Sequence, residues 1–114
     1  MIDSTFSQRL ASKLDEYLDT VRCMVECWFK KEAYEAAAAN AASIRALLAE
    51  LPELMMFTIR TLCCHDSLVV ALWRSSSQAS AKSFAAVRET HARLCATIAE
   101  LRRAPCLVAC VSPG

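Results

Sequence analysis

Apolar side chains recur along the first part of the chain with the period of a helix. Leu10, Leu14, Tyr17, Val21, Met24 and Trp28 follow one another at spacings of 4, 3, 4, 3 and 4, which lays a single stripe along one helix face. The opposite face carries Asp15, Asp19, Arg22, Glu26 and Lys30, where neighbours of opposite sign can pair for about 0.2 to 0.5 kcal/mol each. Thr5 with Gln8 three residues later has the spacing of a capping box and marks the predicted start.

A second stripe, Ala33, Ala37, Asn40, Ile44, Leu47 and Leu51, keeps the same rhythm, but Trp28 to Ala33 is a step of five. At 3.6 residues per turn that step rotates the apolar face by about 140°. Two readings follow. Either the chain bends near Lys30-Lys31-Glu32, where no Gly, Pro, Asn or Ser marks a turn, or residues 5–51 form one helix of about 70 Å that buries different faces against different partners. In a two-helix hairpin the two stripes could not both be covered within one chain, and association would supply the missing surface.

Pro52 would remove a helix hydrogen bond and clash with the carbonyl of Leu48. It also drives Leu51 into extended backbone, so the second helix is predicted to end there and a third to begin at Pro52-Glu53. The apolar side of that third helix reads Met55, Ile59, Leu62, Val69 and Trp73, interrupted by Asp66. Ser75 to Ser80 reads as a loop, in which Ser75 and Gln78 repeat the capping-box spacing. A last helix carries Phe84, Val87, His91, Leu94, Ile98 and Leu101, closes on Arg102 and Arg103, and is expected to stop at Pro105. Residues 104–114 read as an apolar, non-periodic tail, too short to span a membrane.

The expected fold is all-α, a single helical domain over residues 1–114 built as an antiparallel bundle of three or four helices. The alternative is a long two-helix hairpin, residues 5–51 against 53–103, that dimerises.

Composition narrows the function classes. With 55% apolar residues the chain is not disordered, and a single glycine, at position 114, excludes glycine-rich phosphate loops and most β architectures. About 20 alanines favour helix. A net charge of +1 leaves no field to hold nucleic acid. Seven cysteines, an odd number lying mostly within helical patterns, read as reduced thiols of a cytoplasmic protein, and the first residues lack the basic start and apolar run of a signal peptide. Leu54 to Trp73 is apolar enough to suggest a membrane span. Arg60, His65 and Asp66 lie in its middle, where charges cost about 2.5 to 3.5 kcal/mol each, so a core helix is expected and no transmembrane segment.

Three groups of residues invite chemistry. Cys23 with Cys27, and His91 with Cys95, are each four apart on a helix, and two such pairs facing across a bundle would make a tetrahedral zinc or cuprous site. The plainer reading treats these cysteines as small hydrophobes, so no metal and no cofactor is assigned. Cys63-Cys64-His65-Asp66 contains a thiol, a base and an acid, but neighbours on a helix point about 100° apart, so Cys64 and His65 cannot pair. Asp66 is instead expected to cap a helix or to pair with Arg60 or His65. Met24, Met55, Met56, Phe57, Trp28 and Trp73 read as core rather than as an adaptable binding groove, and Ser67 or a backbone carbonyl is the expected partner for a buried Trp N–H. No catalytic residue is assigned. The expected function is that of a small non-catalytic helical interaction protein, working as a homo-oligomer or on a partner protein. A cysteine and histidine metal-binding bundle is the alternative, and an amphipathic coat on a membrane or granule surface the third.

Overall fold

A computed structural model describes the backbone of residues 4–111 and the side chains of residues 5–105. It contains α1 (Ser4–Glu26), α2 (Lys31–Leu48), a 3-10 turn (Pro52–Leu54), α3 (Met55–Ser77) and α4 (Ala81–Val111), with no strand among the described residues. The most extensive packing is α1 on α2 and α3 on α4, and the α1–α4 and α2–α3 contacts close the ring. Arg60 reaches Glu100 while Cys64, four residues further on, reaches Thr97, three residues back. Such counter-running register defines an antiparallel pair. The body is elongated, 53 × 25 × 17 Å with a radius of gyration of 15.2 Å, against about 13 Å for a compact domain of this size.

The four-helix form of the bundle holds and the two-helix hairpin does not. The chain breaks at Cys27–Lys30, just ahead of the sequence-based position, and Lys30 takes extended backbone (φ −124°, ψ 118°) that needs no glycine. That corner absorbs the five-residue step from Trp28 to Ala33. Both stripes are consequently buried within one chain: Leu10, Leu14, Tyr17, Val21 and Met24 are at most 1% exposed, and Ala37, Ile44 and Leu47 face them from α2. The corner replaces the hairpin, for which covering both stripes would have called for a second chain. Trp28 packs edge-on to Tyr34 and Trp73, and Phe29 stacks on Trp73 with centroids 5.2 Å apart, which ties this corner to the end of α3.

Pro52 breaks the chain as expected, with Leu51 extended before it (φ −128°, ψ 90°) and the proline in the first position of the turn that leads into α3. The serine run behaves otherwise. Ser75, Ser76 and Ser77 stay inside α3, where their hydroxyls donate to the carbonyls of Leu72 and Trp73. The corner falls at Gln78–Ser80, and α4 starts on a reciprocal cap: Ser80 Oγ accepts from the Ser83 N–H (3.1 Å) and Ser83 Oγ from the Ser80 N–H (2.9 Å). Serine at the third helical position does the work that glutamate or glutamine usually does. Thr5 lies inside α1 rather than ahead of it.

Pro105 does not stop α4, which runs on to Val111. A proline within a helix removes one hydrogen bond and costs about 3 kcal/mol, and here Leu101, Ala104 and Pro105 are all buried, so tertiary packing holds that turn in place. The backbone of residues 106–111, expected as a non-periodic tail, is helical. The side chains of that stretch, including Cys106 and Cys110, and residues 112–114 lie outside the described part.

Candidate functional site

Helix α3 departs furthest from its sequence pattern. Its buried residues are Thr58, Thr61, His65, Leu68, Ala71 and Leu72, continuing the line from Leu54 of the 3-10 turn, and three of those six are polar. Three of the five residues read as core, Met55, Ile59 and Trp73, are exposed, and Leu62 and Val69 are half-buried. The inversion has a local cause. Thr58 Oγ1 donates to the Leu54 carbonyl (3.2 Å) and Thr61 Oγ1 to that of Phe57 (2.8 Å), so both hydroxyls are satisfied by their own helix and can be buried without penalty. His65 is satisfied from α1, where Tyr17 Oη lies 2.6 Å from Nδ1.

The electrostatics of this pair keep both groups uncharged. Burial drives the Tyr17 phenol far above its ordinary value, with Cys64, Asp66 and Cys95 pushing the same way. Burial lowers the His65 imidazole below its ordinary 6.5, and Asp66 only partly opposes it. Both groups are therefore held neutral, and with His65 Nδ1 as the partner of the Tyr17 hydroxyl, a phenol that donates there leaves the imidazole proton on Nε2. Each group is engaged with the other inside the core, which makes the pair a packing element rather than an open acid–base centre.

Cys64 Sγ lies 3.6 Å from Thr97 Oγ1 on α4, so Cys64 and His65 turn to different helices, as their 100° offset requires. Asp66 is exposed in the middle of α3 and caps nothing; of its two expected partners, Arg60 pairs with Glu100 on α4 at 2.9 Å, and His65 is acted on by the Asp66 charge without an ion pair. Trp28 Nε1 is buried with no acceptor among the described residues, and Ser67 is exposed rather than beside it.

The metal candidates do not converge. Cys23 lies three residues, about one turn, beyond Thr20, which accepts from Asn40 of α2, and Cys27 falls in the corner that follows α1. His91 and Cys95 lie 11 and 7 residues before Arg102, which bonds Asp15 of α1, so they belong to the α1 side of α4. Cys23, Cys27 and Cys95 are exposed and His91 is half-buried. Among the described residues no three His, Cys, Asp or Glu side chains gather in a way that could hold an ion. Partial burial raises the Cys95 thiol above its ordinary value, which disfavours the thiolate a metal needs.

What the inversion leaves on the surface is an ordered apolar face. Met56, Ile59, Cys63, Asp66, Val70 and Trp73 are all exposed and follow one another at 3, 4, 3, 4 and 3. This is the seam of a helix that packs on another helix. Its four large apolar members are between 46% and 65% exposed, and a groove of about 720 Å³ runs along its α4 side past Asp66, Val70 and Arg74. Phe29, stacked on Trp73, adds to the apolar surface. The signal in the sequence is that α3 carries more large apolar residues than a single face can hold, with Met56, Ile59, Val70 and Trp73 lying off the buried line. The molecule is thus a four-helix bundle with one helix incompletely covered. The chain matches no protein-family profile, no curated protein and no solved structure.

Proposed function

We propose that the protein is a small non-catalytic interaction module, of adaptor, chaperone-like or regulatory type, that works by packing helices against a second copy or a partner protein. The observation that carries this is the exposed 3-4 seam of α3, since monomeric surfaces scatter large apolar residues singly and seldom align them. Exposed Cys23, Cys27, Cys63 and Cys95 fit a reducing, cytoplasmic setting. Sedimentation velocity at micromolar concentration, paired with affinity capture, tests the reading. A species heavier than the 12.6 kDa chain, or a partner lost when Ile59 and Val70 are made polar, is expected. A monomer that captures nothing overturns the reading.

A membrane-associated reading draws on one fact: Pro52–Ser77 is long and apolar enough to cross a bilayer, with 39% of the relevant window buried in the fold. Arg60 and Asp66 in mid-helix and the inward Thr58, Thr61 and His65 favour a core helix instead. Vesicle flotation separates the two, and flotation with neutral vesicles would favour the membrane.

A further inference from the structure

We propose that the occupant of the α3 seam is a second copy of the same helix, packed antiparallel across a two-fold axis that passes between Cys63 and Asp66. The inference rests on the interaction reading above and adds the partner and the geometry.

The seam is its own complement when reversed. In heptad terms Met56, Cys63 and Val70 take one core position, and Ile59, Asp66 and Trp73 the other. Antiparallel packing sets each member of the first class against one of the second. Turning the helix end for end about the point between Cys63 and Asp66 places Met56 against Trp73 of the second copy, Ile59 against Val70, and Cys63 against Asp66. Every layer is filled. At its ends the Phe29–Trp73 stack meets methionine, a pairing of aromatic ring and thioether that is favourable in itself.

Charge selects this direction. Arg60, Ser67 and Arg74 are seven apart and flank the seam on the α4 side, and Glu53, seven residues before Arg60, stands in the 3-10 turn that leads into α3. Antiparallel packing brings like flanks together, so Glu53 reaches Arg74 of the second copy at both ends, and Arg60 comes beside Ser67 and within a side chain's reach of Asp66. Parallel packing in register would set the two Asp66 carboxylates side by side. An acid in an apolar seam is costly unless paired, and a single polar position of this kind fixes register and direction in helix dimers. The geometry is isologous, so the dimer closes on itself and leaves no surface for further growth.

The test uses the full chain and charge reversal. Within one chain, Glu53 in the 3-10 turn ahead of α3 and Arg74 in the last turn of α3 are 21 residues apart, at opposite ends of the helix and about 30 Å from each other, too far to sense each other. Glu53→Arg and Arg74→Glu are each expected to weaken the dimer about tenfold in sedimentation equilibrium, and the double variant is expected to recover wild-type association. Recovery can come only across the two-fold. Ile59→Glu, at an exposed site, is expected to give a monomer of unchanged helix content by circular dichroism; Val70→Glu repeats the test should the first variant fail to fold. A dimer that withstands both seam substitutions, or a double variant no better than the singles, overturns the proposal while leaving the interaction reading intact. A wild-type monomer that binds a different protein through the seam does the same. A monomer with no partner overturns both.

Discussion

Helices α1 and α3 are equal in length, 23 residues each, and are built on opposite plans. Helix α1 is amphipathic: one apolar stripe faces the core and charged residues face water. Helix α3 spreads its apolar residues over two faces and puts threonine, histidine and only part of its leucine inward. The first plan completes a fold. The second leaves a helix with two faces to cover, only one of which its own chain covers. An apolar residue therefore marks the core only where its helix also has a polar side to turn to water.

The contrast can be broken most sharply at α1. Leu14→Ala, at a fully buried site, is expected to cost about 2 to 5 kcal/mol in denaturant unfolding, whereas Ile59→Ala in α3 should stay within about 0.5 kcal/mol in the monomer. Equal costs at the two sites would mean that the exposed face of α3 is already covered.

Next in size is the link between the two helices. Tyr17→Phe removes the donor to His65 and leaves Nδ1 buried without a partner, for an expected loss of about 1 to 3 kcal/mol. The same pair makes stability depend on pH. Folding lowers the His65 value, so below about 6.5 the unfolded chain binds a proton that the folded imidazole resists. The stabilisation is complete above pH 6.5 and is lost as pH falls towards the lowered folded value. Thermal unfolding between pH 7.5 and 5.5 should show this decline in the wild type, and His65→Gln should flatten it; an unchanged slope would refute the assignment.

The smaller effects sharpen how α3 ends. Ser80→Ala removes the cap of α4 and is expected to cost about 1 kcal/mol. Ser76→Ala, inside α3, replaces a hydroxyl that only bonds back to its own helix and should be neutral or slightly stabilising. If Ser76→Ala proved the more damaging of the two, the corner would lie where the serine density suggests.

Those contrasts also explain what could be read from the chain. The α1 stripe, the Pro52 break and the all-helical class were legible because each rests on local rules: period, proline geometry and alanine propensity. The corner at Cys27–Lys30 was only half legible, since it uses ordinary extended backbone and the aromatic contacts that fix it join residues 28 and 73. The inner face of α3 was not legible. Whether Thr58, Thr61 and His65 can be buried depends on hydrogen bonds, one of them to Tyr17, 48 residues away. Pro105 misled for the same reason, because neighbours distant in sequence keep its turn helical. The seam was present in the sequence, sharing Ile59, Asp66 and Trp73 with the stripe taken as core and differing from it by one residue at Met56, Cys63 and Val70, and only the fold says that this shared line faces outward.

No residue of the described chain adopts positive φ, although the chain turns three corners. The consequence lies in the unfolded chain rather than the folded one. A corner that needs glycine carries a segment with many conformations to lose, and replacing glycine where the backbone permits stabilises by about 0.4 to 1 kcal/mol for that reason. With ordinary residues at every corner, this chain surrenders less freedom on folding, a saving no contact in the native bundle reveals.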